Sequence, residues 1–565
     1  MMNRVPRWML GAVILAVLFG TAMPSSYAQN AAGRIVGTVT DQTGATIQGA
    51  NVTVTNLATQ ISQQTTTSGD GFYQLLNMPI GRYRVTIEKD GFQQQVFDGQ
   101  TLQINQSLRL DAQLSIYQTK QVIEVKEQAS DVETVNATVG GTVTGAAIQQ
   151  APLNGRNVLD LAKLQPGVTE TNPDSGAAGT VSIAGGRTDS VTFLLDGGLN
   201  NDLLSNGVVF NPNPDTVEEF RVLESNYSAE YGRNAGGIIS EVTKSGTNAW
   251  HGTAFDYLRN GDLDANTFFN KINGLPRDSL RRNQYGGTFG GPIRLPHLVN
   301  GKDRFFFFVG YQGQKLTNTS SPGAVPVFTP AEVGGNFSQD PNVVTFLQAH
   351  PFFAANATQP GVINPAAFNS AAVNLIAHGL IPSSPTGLLA PQSAQANNQN
   401  ELTMKFDFLI TQSDKLTATI GGFRNPTLDP FAVSGSVANA NVPGYSITNQ
   451  NNSYFVNVAY TRTISPNVLN EVRFVTQRTN TLQGQPASGF SLFTPGALGI
   501  AVTPDNPTGP PTLSFGNGLS TGFTNDGPST LVDNTFGITE ALSWVRGRHN
   551  FKIGGGFSGY QDNQV

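Results

Sequence analysis

The residue types able to carry out chemistry are dispersed along this 565-residue sequence. His251, His297, His350, His378 and His549 show no H-E-x-x-H or other paired ligand spacing. Cysteine is absent, which removes disulfides, thiolate metal sites, a cysteine nucleophile and a lipidated N-terminal Cys. Asp262-Leu263-Asp264-Ala265-Asn266 opens like a calcium loop. Thr267 stands where that loop needs Gly, and Asn273 where a bidentate Glu would close the shell, so a polar loop is expected. Gly301-Lys302 lacks the preceding glycines of a phosphate loop, Asp303 replaces its Ser/Thr, and no G-x-S-x-G elbow occurs. The expectation is no enzyme, no cofactor and no metal site. A mechanical role suits the charges better. Arg187, Arg221, Glu218, Glu219 and Glu224 sit in an otherwise apolar stretch. They are either wetted turns or a buried Arg–carboxylate pairing, which would act as a latch because breaking it strands a charge.

The elements that position them are β-strands. Arg4 and Arg7 precede an apolar run from Met9 to Met23, then Ser26-Tyr27-Ala28, describing a secretory signal peptide cleaved after Ala28. That run is shorter than the ~20 residues that span a bilayer. Only 13% of residues are charged while Gly numbers 62, a balance that suits walls with one lipid face and one wet face. The net charge of −6 and the absence of a basic run argue against a nucleic-acid partner.

From Gly33 to Leu114, strands are expected at 34–40, 50–57, 61–67, 72–76, 83–89 and 102–114, with turn residues between them. That spacing predicts a β-sandwich. Val122, Ile123, Glu124 and Val125 form a short extended run in a charged linker. A short helix is expected from about Asn157 to before Pro166. Val181 to Gly252 alternates short apolar runs with Gly pairs, as in a compact mixed α/β domain.

Beyond Trp250, nine runs of about ten residues show strand alternation, near 250–259, 283–294, 304–315, 401–410, 415–424, 452–463, 468–479, 534–545 and 549–560. Tyr454, Val456, Val458 and Tyr460 share one face of the sixth. Phe536, Ile538, Leu542 and Trp544 share one face of the eighth, with Glu540 as the exception. Short links at 411–414, 464–467 and 546–549 alternate with long ones at 260–282, 316–400, 425–451 and 480–533. Outer-membrane barrels sort their loops this way, and a soluble sheet has no reason to. Tyr257, Phe305, Tyr460, Trp544 and Tyr560 are expected in interfacial girdles, and 316–400 as a long external loop. Nine is odd where bacterial barrels close with an even number, so the sequence reads as a fragment or a truncated product.

The order Gly185-Gly186-Arg187, Leu195-Asp196-Gly197, Val222-Leu223-Glu224, Ala229-Glu230-Tyr231-Gly232, Gly236-Gly237 and Ile238 to Thr243 resembles the plug domain of TonB-dependent outer-membrane transporters. Ser225-Asn226-Tyr227 stands where that family usually has Lys-Gly-Pro, a variant similar to its Oar-like branch. The APLNGRN, DANTFFN and RNQYGGTFGGPI segments are similar to that branch too. The stretch from Val36 to Phe92 resembles the carboxypeptidase regulatory-like domain, a transthyretin-like module grouped with carbohydrate-binding-like folds.

The resemblance implies a mainly β chain, with a signal peptide over 1–28 and a sandwich over 29–116. A linker at 117–136, a plug at 137–247 and the first part of a transmembrane β-barrel over 248–565 complete it. Val122, Ile123, Glu124 and Val125 become the candidate TonB box, which would add an edge strand to TonB. Arg187, Asp196, Gly197, Arg221, Glu224, Tyr231, Gly232, Gly236 and Gly237 become the candidate plug motif and latch. The implied function is TonB-driven import of a large nutrient (siderophore, oligosaccharide or peptide) across the bacterial outer membrane. The implied partners are TonB, the nutrient ligand and outer-membrane lipid. An adhesion protein using the sandwich for carbohydrate or protein contact is the alternative.

Overall fold

The computed structural model describes residues 32–116, 123–125, 137–170, 181–272, 277, 279–295, 299–355, 359–431, 440–503, 508–523, 528–546 and 549–565. The leader with its Ala28 cleavage point, Val122, Asn273 and His297 lie outside these residues.

Strict alternation builds the sandwich. Val52 and Val54, and Tyr83, Val85 and Ile87, point inward while their polar neighbours face water. One sheet runs in the order Ser62–Thr66, Asn51–Asn56, Gly81–Glu88, Gln95–Leu102, with Ile123–Val125 at its edge. The other centres on Gly33–Asp41, flanked by Phe72–Met78 and by Ser107–Arg109 and Ala112–Leu114. The buried hydroxyls of Tyr73 and Tyr83 donate to the Leu110 and Pro79 carbonyls at 2.7 and 2.6 Å, so this core holds no unsatisfied phenol. The single strand expected over 102–114 is instead broken into short pieces, and Gln95–Leu102 is an additional strand. Asn105, at φ 54, turns the chain between them.

The plug is a five-stranded sheet in the order Val139–Thr144, Val217–Ser225, Ile238–Thr243, Thr192–Leu195, Gly198–Leu199. A helix over Gly145–Gln150 and a 3₁₀ helix over Val158–Leu164 complete a core that includes Ile148, Leu161, Phe193, Phe220 and Ile239. Asn157 caps the 3₁₀ helix, its side chain accepting from Leu159 N at 3.1 Å. Gly236 and Gly237 are required by close packing: a Cβ there would lie 2.5 Å from the Ser190 carbonyl and 2.5 Å from the Ile183 side chain, respectively.

The wall is a nine-stranded antiparallel sheet in chain order: His251–Asn260, Leu280–Pro292, Phe305–Ser320, Ser393–Leu409, Asp414–Asp429, Ile447–Ser465, Val468–Gly484, Ser529–Arg546 and His549–Gln564. Among the described residues no helix is long and apolar enough to cross a membrane. All nine coincide with the runs expected from alternation. From Phe305 onward the strands extend past those runs, chiefly towards the long links, and Ile447–Ser465 reaches 19 residues. The sandwich sits at the opposite, short-link side, where Asn248 Nδ2 donates to Thr59 O and to Asp303 Oδ1, each at 2.6 Å.

Register fixes which way each side chain faces. Phe305, Phe307, Phe406, Phe408, Val456, Tyr460, Phe474, Ile538, Trp544 and Phe551 fall on one connected face, away from the plug. Of the expected girdle residues, Phe305, Tyr460 and Trp544 lie on that lipid side. Tyr257 and Tyr560 do not: Arg156 of the plug lies over the Tyr257 ring, and the Tyr560 hydroxyl donates to Asp533 on the inner face. Aromatic character alone cannot tell a girdle from a lining.

The stretch 316–400 is not one structureless loop. It holds helices Pro341–Ala349 and Ser370–Ala377, capped by Asp340 and Asn369, and the second meets another long link, Asn374 Nδ2 donating to Leu498 O at 3.2 Å. Val327, Leu375, Leu380, Val442, Tyr445, Leu498 and Phe523 belong to the shared apolar core of this outer cap.

Candidate functional site: the seam between plug and wall

The seam is built around one turn. Leu195 pairs with Gly198, leaving Asp196-Gly197 as a two-residue hairpin loop with φ of 48° and 75°. Both central residues of a type I′ turn need positive φ, which is why Asp-Gly occupies it. The turn is pushed into the inner face of the wall, where its carbonyls and the Asp196 carboxylate are cut off from water. Buried backbone groups need partners, and the wall supplies them. Asn457 Nδ2 donates to Leu195 O at 3.3 Å and Asp196 O at 3.1 Å. Arg473 donates to Asp196 O at 2.5 Å and is held by Asn457 Oδ1 at 3.0 Å and Glu471 Oε1 at 2.8 Å.

The Asp196 carboxylate accepts from Thr243 N at 3.0 Å, Thr243 Oγ1 at 2.6 Å, Thr419 Oγ1 at 2.6 Å and Lys405 Nζ at 2.9 Å. Four donors fill the four lone-pair sites of an ionised carboxylate. Lys405 also donates to Thr243 O at 2.9 Å. Asp196 and Lys405 are each only 6% exposed, so this ion pair is buried. Its desolvation cost is large, and it is offset by the four donors on the carboxylate and by the second acceptor that Thr243 O gives Lys405.

Further anchors spread from this centre. Glu401 of the wall accepts from Asn213 N at 2.6 Å and Asn213 Nδ2 at 2.9 Å. Arg156, at φ 59, pairs with Asp215, donates to Gln312 Oε1 at 2.7 Å and stacks over Phe255 and Tyr257 at 4.4 and 4.7 Å. The delocalised guanidinium suits this mixed aromatic and carboxylate site. Lys552 of the last wall strand pairs with Glu230 of the plug. The apolar share is small: Leu195, Phe210, Phe455 and Val475, with Phe423 beside them. Glu241 lies on the plug strand beside the turn; burial, then the nearby Asp196 and Glu401, pushes its carboxyl up to about 8. Below the turn, a cavity of about 320 Å³ separates sandwich, plug and wall, bounded by Tyr83, Glu218, Asp407, Lys415 and Glu471 among others.

Among the motif residues expected from sequence, Asp196 and Gly197 are at the seam, and Gly236 and Gly237 hold the plug together. Tyr231 is buried against Tyr227, whose hydroxyl donates to Gly236 O at 2.6 Å. Gly232 follows in the same turn. Arg187 is exposed and paired with Asp189 at the surface. Glu224 lies beside Gly167 within the plug. Arg221 and Glu219 face the sandwich rather than the wall. The backbone of Ile123–Val125 pairs in parallel with Gln95–Phe97 of the sandwich. The wall partners, Lys405, Arg473, Glu401, Asn457 and Thr419, went unrecognised in the sequence, as did Arg156. A signal existed: in a charge-poor chain, Glu401, Lys405 and Asp407, and Glu471 and Arg473, fall on alternate positions of apolar strands.

A polar-faced plug domain seated on the inner surface of an antiparallel wall with an apolar outer face defines a plugged outer-membrane β-barrel protein. Family models agree along the chain: a carboxypeptidase regulatory-like domain over 34–115, a TonB-dependent receptor plug domain over 129–238 and an outer membrane β-barrel domain over 242–565. The chain belongs to the outer membrane β-barrel proteins with a TonB-dependent receptor plug, and so to the bacterial outer membrane.

The TonB-dependent transporter Oar of Myxococcus xanthus is 28% identical over 320 residues, 55% of this chain and 29% of that protein. The ferrienterobactin receptor of Escherichia coli K12 is 29% identical over 128 residues, 20% of this chain and 17% of that protein. The matched stretches therefore span less than a third of the length of these relatives. Among solved structures, the outer membrane transporter YddB of Escherichia coli aligns with a TM-score of 0.47 at 12% identity, over 74% of this chain and 47% of that one.

Proposed function

We propose that this chain is the ligand-gated part of a TonB-driven importer, carrying a large nutrient of the siderophore, oligosaccharide or peptide class. The observation that carries this reading is the chemistry of the seam. The plug is held to the wall by directional hydrogen bonds and the Asp196–Lys405 pair, with few apolar contacts. Such contacts specify one seating strongly yet exchange for water once parted, which suits a plug that must move and return. In this reading Asp196 and Gly197 are the latch, Ile123–Val125 belongs to the segment that TonB grasps, and the outer cap meets the solute. The ferrienterobactin receptor relative supports keeping ferric siderophores among the solute classes.

The test is uptake of labelled siderophore, oligosaccharide and peptide panels by cells producing the full natural protein, with and without TonB. Uptake that vanishes without TonB supports import. Solute binding that is retained with no TonB-dependent uptake would instead point to an adhesion role for the sandwich.

A further inference from the structure

Two plug residues that the sequence suggested for a plug–wall latch are spent elsewhere. Glu219 Oε2 accepts from the Ile104 N–H of the sandwich at 2.6 Å, and Arg221 donates to the Ile104 carbonyl. The backbone of one sandwich residue, Ile104, is thus held at both its N–H and its carbonyl by alternate residues of one plug strand. Ile104 is fully buried, and Glu219 and Arg221 are only 5% and 7% exposed, so this is a dry joint. The loop begins where strand Gln95–Leu102 ends, and that strand pairs through Gln95–Phe97 with the backbone of Ile123–Val125. A single short piece of the sandwich therefore grips the plug at one end and the linker at the other.

We propose that the sandwich is a brake on the plug: the 103–106 loop clamps strand Val217–Ser225 while the adjoining edge strand occupies the Ile123–Val125 backbone. TonB can then take the linker only after the sandwich lets go. This rests on the TonB reading above and adds its regulation. The two grips are coupled because they lie on one continuous stretch, Gln95–Phe97 opening the strand and Ile104 just past its end, so loosening the Ile104 clamp raises the fraction of molecules with a free linker. Apparent affinity scales with that fraction. Glu219 adds a pH dependence: burial, opposed by the Ile104 N–H and Arg221 and reinforced by Glu218, pushes its carboxyl up to about 7. Below its ordinary value of 4.5 the clamp is unaffected by this group; it weakens as pH rises from there to 7.

The absence of cysteine makes a clean test available, since Gln95→Cys with Ile123→Cys places one thiol pair across partnered Cα positions. The probe is the purified periplasmic domain of TonB, added to the full chain in detergent. Binding that is blocked after oxidation and restored by dithiothreitol is the expected result. Arg221→Ala should bind the probe about tenfold more tightly than the parent, with the Ile104 amide losing its protection from hydrogen exchange while Val85 and Ile87 keep theirs. Equal binding by oxidised and reduced forms, or a pair that refuses to oxidise, overturns the brake and leaves the TonB reading standing. No binding by any form, Arg221→Ala included, means that the TonB reading is wrong and takes the brake with it.

Discussion

The sandwich core and the plug–wall seam are buried to a similar degree and are made of opposite materials. In the sandwich, Ile35, Val39, Val52, Val54, Val85, Ile87 and Leu114 pack around two tyrosines whose hydroxyls are each satisfied once. In the seam, Asp196, Lys405, Arg473, Glu471, Asn457 and Thr419 form a continuous polar network around one turn. Apolar packing is non-directional and tolerates small shifts. A polar network is all-or-none: complete, it fixes one position, and with one member missing it leaves stranded charge. The first material suits a unit that stays folded throughout. The second suits a joint that must open.

The sharpest way to break this contrast is Lys405→Ala. It leaves Asp196 buried without its counter-charge, and the plug seating should weaken by about 3–5 kcal/mol. Protease release of the plug in a urea series reads this, and Asp196→Asn combined with Lys405→Met should recover most of the loss. Ile87→Ala should cost the sandwich about 2–4 kcal/mol by calorimetry while plug release is unchanged. If plug release moves as much as sandwich melting, the two regions are not the separate materials described.

Gly421→Ala should cost the seam about 1–3 kcal/mol, because a Cβ there would lie 2.5 Å from the Phe210 ring. Tyr73→Phe should cost the sandwich about 1 kcal/mol, the worth of one hydrogen bond to Leu110 O. Glu241 gives the finest test. Its folded value of about 8 lies above its ordinary 4.5, so the neutral form is the one the seam accommodates. Plug seating should be strongest at or below pH 4.5, fall as pH rises towards 8, and level off above; Glu241→Gln should flatten the profile. A profile unaltered by that substitution removes Glu241 from the seam's energetics.

Much of this was legible beforehand, for physical reasons. Period-two alternation located all nine wall strands, because side chains such as Tyr454 and Phe455 answer to different solvents. Asp196-Gly197 was visible because few other pairs tolerate two positive φ values. The partners of that turn were not visible, since Lys405 and Arg473 lie 209 and 277 residues away and nothing local sets that register. The same limit hid the destination of Glu219 and Arg221: wetted turns and a buried Arg–carboxylate pairing were both open, and only the fold shows that both residues hold the Ile104 backbone of the sandwich. The outer cap was missed because its apolar residues are scattered over several links, none of which reads as an element alone.

The overlong wall strands carry a consequence for reach. A membrane strand needs ~9–11 residues, and Ile447–Ser465 has 19, with most of the excess on the long-link side. Of the roughly eight surplus residues, the five over 447–451 lie on that side; at ~3.3 Å each and tilted by roughly 40°, they lift the sheet about 13 Å past the hydrocarbon. The outer cap is thereby hoisted clear of the headgroup layer on a rigid palisade. A bulky solute that could not descend to an opening flush with the surface would find its first foothold at the top of a tower.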